Sequence, residues 1–329
     1  MILAGDIGGT KTVLGLFDPA GSGVHSVREQ TFSSHAYGSL SDVIDAFLPT
    51  GARPSLTGAC FGVAGQICDG RTVVTNLPWV VEASDLGRSL NAPVVLINDL
   101  VAAAYGLLVL PPESFVTLQA GRAVRGGNVA VIAPGTGLGE AMLIFDGTRY
   151  RAVSSEGGHA DFAARSELEV ELFQHLHRRF GHVSYERVLA GDGFSNIFSF
   201  LTSTGQLHVP EWLESELAAG DRNARITACG LEDRADVCVK TLEMFVTILA
   251  AEAGNMALRG DACGGVIIGG GIAPKILPAL QKPAFLSAFA DKGRFAAWLK
   301  DVPVRVARDS RAPLIGAAHQ MFQQPGGSS

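Results

Sequence analysis

Twice along this chain an apolar run ends in a glycine-rich turn and a second apolar run follows at once. The first pair is residues 2–5, entering Asp6-Ile7-Gly8-Gly9-Thr10, and then Val13–Phe17; the second is Val129–Ala133, entering Pro134-Gly135-Thr136-Gly137, and then Glu140–Phe145. Short apolar runs punctuated by glycine read as strands joined by tight turns. The chain has 329 residues, more than one core usually carries, so two lobes are expected. The likeness between the halves is a weak internal duplication, of arrangement rather than of sequence identity.

The segments around these turns alternate between the two periodicities. Residues 38–48, Ala83–Leu90 and the Ala-rich run Leu100–Leu108 have helical spacing, whereas Leu56–Val63, Arg71–Thr75 and Val94–Ile97 read as strands, the first and last of them buried. Further on, Tyr150–Val153, Gly264–Ile268 and Val302–Val306 read as strands. Residues 166–179, 184–201 with an interruption at Gly191–Gly193, Ala235–Leu258 and Leu314–Phe322 read as helices, and Pro325–Ser329 as a disordered tail. The class is α/β. A domain boundary is placed near Pro111-Pro112.

Composition narrows the partners. A formal net charge of −6 argues against a broad nucleic-acid surface. No charge-free apolar stretch reaches the roughly 18 residues of a membrane span. The N-terminus lacks a basic segment and Asp6 breaks its apolar run, so it does not read as a signal peptide. Cys60, Cys68, Cys229, Cys238 and Cys263 form no CxxC pair. They read as small buried hydrophobes in a reducing compartment, the cytoplasm, rather than as a disulfide or zinc framework.

Five segments can carry chemistry. In Asp6-Ile7-Gly8-Gly9-Thr10-Lys11-Thr12, a turn between strands exposes backbone N–H groups that suit phosphate, with Thr10 and Thr12 as added hydroxyl donors. Asp6 can hold Mg²⁺ directly or through water. The pattern is not GxxxxGK[ST], and an ordinary hairpin turn would use the same residues. Pro134-Gly135-Thr136-Gly137-Leu138-Gly139 is a second such turn; no helix evidently opens after it, so it is not a dinucleotide fingerprint. Gly269-Gly270-Gly271, after an apolar strand, would let a flat nucleoside approach the backbone, or would be a plain strand-to-helix turn.

In Ile97-Asn98-Asp99-Leu100 a carboxylate sits where a strand meets a helix, a place where ligands gather in open α/β sheets. Asp99 can accept a proton from an attacking hydroxyl and Asn98 can orient the same substrate; both residue types are also common helix N-caps. Ser155-Glu156-Gly157-Gly158-His159-Ala160-Asp161, with Tyr185-Glu186-Arg187, offers the planar donors and acceptors that sugar hydroxyls need. His159 with Asp161 would instead suggest a metal, without a supporting HExxH or Cys pair. Glu186 would also be a plain first-turn carboxylate after an N-cap at Ser184.

Taken in order, these segments resemble the bacterial glucokinase family, part of the hexokinase, actin and heat-shock-ATPase superfamily. LAGDIGGTKT is similar to its first phosphate segment, and GVAGQI with TNLPWVV to its sugar-side loops. LINDLVAAAYG is similar to its catalytic segment, IAPGTGLGEA to its second phosphate segment, SSEGGHADFA and SYERVLAGDG to its sugar segments, and GGVIIGGGIAPK to its adenosine segment. The match spans nearly the whole chain. It implies a two-lobed, actin-like (ribonuclease H-like) architecture with a cleft that closes on sugar. Residues 1–110 with about 308–324 would form the smaller domain, and 111–307 the larger. The resemblance makes Asp99 the general base, and gives sugar hydroxyls to Asn98, Asp99, Glu156, His159 and Glu186, with Asn76 and Gly65 in the sugar-side loops. It gives ATP phosphates to Gly5, Asp6, Ile7, Gly8, Gly9 and Thr10 and to Gly135, Thr136 and Gly137, adenosine to Gly269, Gly270 and Gly271, and Mg²⁺ to Asp6.

The implied reaction is ATP-dependent phosphorylation of glucose at O6 by a homodimer. Lys11 departs from the Asn common after GGT; GGTKT is more typical of the related repressor–ORF–kinase family, whose Cys-rich zinc segment and N-terminal DNA-binding helices have no counterpart in this sequence. Another hexose as substrate, a non-catalytic sugar sensor and a sugar-independent ATPase are the competing readings.

Overall fold

A computed structural model describes residues 1–21, 23–48, 51, 54–205 and 207–324; the expected disordered tail lies outside them. The chain divides into two compact units. One holds Met1–Pro112, Ala152–Ser154 and the described residues from Asp309 onward, and the other Glu113–Arg151 and Ser155–Arg308.

In the first unit the strands are β1 (Ile2–Ile7), β2 (Lys11–Ala20), β3 (Gly23–Ser33), β4 (Gly58–Val63), the hairpin β5 (Arg71–Val73) and β6 (Val80–Glu82), and β7 (Val94–Asn98). A five-stranded sheet runs β3-β2-β1-β4-β7. β1 is antiparallel to β2 and parallel to β4, which is parallel to β7. The interior strand β4, GACFGV, parallel to both its neighbours, is buried at every position, as a parallel strand covered on both faces must be.

Side chains alternate across the sheet. Leu3 and Ile7 join Phe47, Phe61 and Trp79 on one face. Ile2, Ala4 and Cys60 join Ala102, Leu314 and Met321 on the other, which belong to the helices Asp99–Val109 and Ala312–Phe322. These helices cross at glycine. A Cβ at Gly106 would overlap the Ala312 carbonyl oxygen, and one at Gly316 the Ala102 carbonyl oxygen.

The second unit contains β8 (Phe115–Gln119), β9 (Val129–Pro134), β10 (Leu138–Phe145), β11 (Tyr150–Ser155), β12 (Gly265–Ile268) and β13 (Val304–Ala307). Their sheet runs β11-β10-β9-β12-β13-β8. β9 is antiparallel to β10 and parallel to β12, which is parallel to β13. Apart from β8, the hairpin-first, parallel-next order is that of the first unit. The duplication of arrangement is therefore one of strand topology. The core gathers on the helix Asp236–Arg259, apolar on nearly all sides and buried accordingly. Phe245 on this helix stacks on Phe194, with ring centroids 4.1 Å apart.

Two expectations shift. The helical run 184–201 breaks at Ala190, whose extended backbone separates Glu186–Leu189 from Gly191–Ser203; Gly191 and Gly193 are helical, not the interruption itself. Of the cysteines read as buried, Cys60, Cys229 and Cys238 are, but Cys68 is exposed and Cys263 half-buried. Cys68 sits at the mouth of the β5–β6 hairpin, where it exchanges backbone hydrogen bonds with Arg71.

Candidate active site

In the first unit the candidate residues collect at the carboxyl ends of β1, β4 and β7. Alternation puts Asp6 on the face of Ile2 and Ala4, toward the helix Asp99–Val109. Its register partner in β4 is Gly62. A Cβ on Gly62 would come within 3.5 Å of the Asp99 Cα, so Asp99 starts its helix over the neighbouring strand. Burial first, and the Asp99 carboxylate second, push the Asp6 carboxyl up to about 6 against the pull of Lys11. Two acids placed so close favour a cation between or beside them, and this donor set fits Mg²⁺, which takes carboxylate and phosphate oxygens.

The first glycine turn is braced from below. Gly8 N–H donates to the Lys11 carbonyl at 3.0 Å, and Ser34 Oγ donates to the Gly8 carbonyl at 2.8 Å. Ser34 Oγ is also 3.0 Å from Thr12 Oγ1. Thr12 is fully buried, which corrects its reading as a phosphate donor: its hydroxyl is spent on Ser34, while Thr10 is exposed. Gly9 lies against Thr75, whose carbonyl oxygen would be 2.8 Å from a Cβ there. The next residue, Asn76, takes a left-handed φ of 64°. Gly5 lies mid-strand against Phe61 and Leu14, and the Ile7 side chain is in the core, so either could meet a ligand only through backbone.

Asn98 is the N-cap of the helix that Asp99 begins. Its Oδ1 accepts from Leu100 N at 2.9 Å and Val101 N at 3.3 Å, and its Nδ2 donates to the Gly65 carbonyl at 3.4 Å. Asp99 Oδ1 accepts from Leu100 N at 2.9 Å. The capping alternative therefore holds for Asn98, and only the donor side of its amide is turned toward Gly65.

In the second unit two glycine turns adjoin at the ends of β9 and β12. Gly135 N–H donates to the Gly137 carbonyl at 2.8 Å; Gly269 N–H donates to Ile132 at 2.8 Å and Ile272 N–H to Pro134 at 3.1 Å. Thr136, Gly270 and Gly271 are exposed. Glu186 reaches the first of these turns. Its Oε2 accepts from Leu138 N at 3.0 Å and would be 2.7 Å from a Cβ on Gly137.

Glu186 Oε1 lies 3.9 Å from His159 Nδ1, and His159 Nε2 lies 4.0 Å from Glu156 Oε2. Three polar residues from two distant segments thus form one row, with Glu156 the most exposed member. Asp161 turns instead to His182, at 3.0 Å, so the His159–Asp161 metal pair is not assembled. Sequence reasoning passed over Ser34, for which no local signal exists. It also passed over Glu140, whose signal was a lone acid opening an otherwise apolar strand.

A family model described as Glucokinase matches residues 3–324. The chain belongs to the glucokinase family. Glucokinase of Trichormus variabilis is 37% identical over 334 residues, covering 97% of this chain and 98% of the relative. The crystal structure of a glucokinase from an Antarctic psychrotroph is 31% identical with a TM-score of 0.84, covering 98% of this chain and 99% of that one. A ROK family glucokinase from Streptomyces griseus superposes with a TM-score of 0.65 at 21% identity, covering 98% and 99% of the two chains, and shares the fold. The actin-like α/β class expected from the sequence is the class of these glucokinase folds. Among the described residues no helix is long and apolar enough to cross a membrane.

Proposed function

We propose that the chain is a glucokinase that transfers the γ-phosphoryl group of ATP to O6 of glucose, with Asp99 as general base. The observation that carries the reading is the seat of Asp99 at a strand-to-helix junction, beside Asp6, in a chain of this family. A sugar hydroxyl is a weak nucleophile, and a carboxylate within hydrogen-bond reach takes its proton as the new P–O bond forms. Glu156, His159 and Glu186 would hold the hexose hydroxyls. Gly8, Gly9 and Thr10, with Gly135 to Gly137, would receive the phosphates, and Gly269 to Gly271 the adenosine. The Streptomyces griseus relative was crystallised with glucose and AMPPNP, which supports this substrate pair. Asp6 would hold Mg²⁺, which supplies charge neutralisation to the phosphates. We further assign the enzyme to the cytoplasm, as a homodimer.

The test is ADP release from Mg-ATP with a panel of hexoses. Release confined to glucose is expected; release with another hexose alone would move the substrate, and release without sugar would sink the reading. In the same assay Glu156→Ala should raise the glucose KM roughly 10–100-fold, the loss of a charged hydrogen bond to a sugar hydroxyl, with the ATP KM little changed. An unchanged glucose KM would remove Glu156 from the sugar site.

A further inference from the structure

Beneath the Gly157–His159 turn lies a buried acid that this mechanism does not use. Glu140, on β10, is 3% exposed. Its Oε1 is closed to solvent and has no hydrogen-bond partner among the described residues. Its Oε2 fills the space that a Cβ on Gly157 would need. Its carbonyl accepts from Ser155 Oγ at 3.2 Å, and Ser155 Oγ accepts from Gly157 N at 3.2 Å. Side chain and backbone of Glu140 both press on the segment that presents Glu156 and His159.

The helix Asp236–Arg259 faces Glu140 with a second acid. Glu252 is fully buried, pairs with Arg259 at 2.7 Å and accepts from Asn255 Nδ2 at 2.8 Å. Asn255 Nδ2 also lies 3.1 Å from the hydroxyl of Tyr185, the residue before Glu186. Half-buried Lys292 lies in the field of Glu252. Glu140 thus meets Glu252 and Arg259 on one side, with Lys292 beyond. On the other is the turn, with Glu156 and His159, while Tyr185 adjoins Glu252 through Asn255.

We propose that Glu140 is a positioning residue for sugar recognition, its neutral carboxyl packed under Gly157 and fixing the turn that carries Glu156 and His159. This rests on the reading that those two residues hold the sugar. An ionised carboxylate with one oxygen sealed and unpaired is costly. Burial first, and Glu252 second, push the Glu140 carboxyl up to about 7 despite Arg259. Below that pH the acid is neutral and the turn is seated. Above it the proton leaves to solvent, a second negative charge appears beside Glu252, and hydrating that charge requires the turn to lift from β10. The sugar site therefore loosens as pH rises.

The glucose KM at saturating ATP should rise roughly tenfold from pH 6.5 to 8, while the ATP KM stays flat. Glu140→Gln, uncharged and of the same shape, should keep the low glucose KM across the range. A flat wild-type profile, or a Glu140→Gln variant that retains the wild-type profile, overturns the proposal. Should that variant not fold, wild-type calorimetry in buffers of different ionisation enthalpy decides: glucose binding at pH 7.5 should take up protons, and no uptake overturns the proposal. Glu156→Ala separates the two layers. If it leaves the glucose KM unchanged, both the sugar assignment and the role of Glu140 fall. If it raises the KM while Glu140→Gln keeps the wild-type pH profile, only Glu140 falls.

Discussion

Asp99→Ala should bind glucose nearly as well as the native enzyme and turn over at least about 10²–10⁴-fold more slowly, the usual contribution of a positioned general base. The helix should survive the change. Its N-cap is Asn98, which satisfies Leu100 N and Val101 N without help from Asp99. The bond from Leu100 N to Asp99 Oδ1, which the change removes, duplicates a donor that Asn98 already serves. The substitution also leaves a second, non-kinetic mark. The Asp99 charge helps to hold the Asp6 carboxyl up to about 6, so in the variant Asp6 should titrate lower. NMR titration of Asp6 beside steady-state rates and glucose calorimetry would check all three. A kcat within a few-fold of native, with Asp6 shifted as expected, would show that the carboxylates interact but that Asp99 is not the base.

The second large effect concerns stability and starts at the crossing of the helices Asp99–Val109 and Ala312–Phe322. At Gly316 a methyl group would run into the backbone carbonyl of Ala102, and backbone cannot rotate aside as a flexible side chain can. The two helices must separate, opening the face where Ala102 packs with Leu314, Ala317 and Met321. Overpacking of this kind costs about 1–3 kcal/mol or more, partly offset by the roughly 1 kcal/mol that alanine gains over glycine inside a helix. Gly316→Val adds bulk without that full gain and should lower the melting temperature by about 5 °C or more. Because Ala102 is one helical turn from Asp99, kcat should fall too, with KM for glucose affected less. Gly23→Ala, where a Cβ meets nothing within 4 Å, is the matched control. Equal melting temperatures for the two variants would mean that the crossing has slack.

Much of this was legible because strand and helix periods differ. Ala83–Leu90 was bounded correctly from its spacing, and the apolar run Leu56–Val63 announced a buried strand that begins two residues later, at Gly58. The glycine turns at Gly8 and Gly135 were placed because glycine punctuates whatever surrounds it. Illegible were features that depend on a partner remote in sequence. Thr12 looked like a ligand donor until Ser34, in a polar stretch with no motif, proved to occupy it. The long strand β3, with its mostly exposed and polar residues, carried no alternation strong enough to announce it. Asn98 fitted both a cap and a substrate group on paper, and geometry resolved the first of these. The row of Glu156, His159 and Glu186 joins residues about 30 apart in sequence, a closeness that spacing alone does not encode.

Apart from Ala152–Ser154, the first unit is assembled from both ends of the polypeptide and the second from the middle. During synthesis, domains tend to fold as their residues emerge. Here every strand of the five-stranded sheet has been made by residue 98, yet one face of that sheet has only the helix Asp99–Val109 to cover it until the helix Ala312–Phe322 arrives. The middle of the chain, complete at Arg308, has everything it needs first. The half translated earliest is thus the last to be sealed, and the segment bearing Asp99 waits for nearly the whole protein before its supporting helix exists. A nascent chain stopped short of that helix would hold a finished second unit and an exposed apolar sheet face, the kind of surface that chaperones bind.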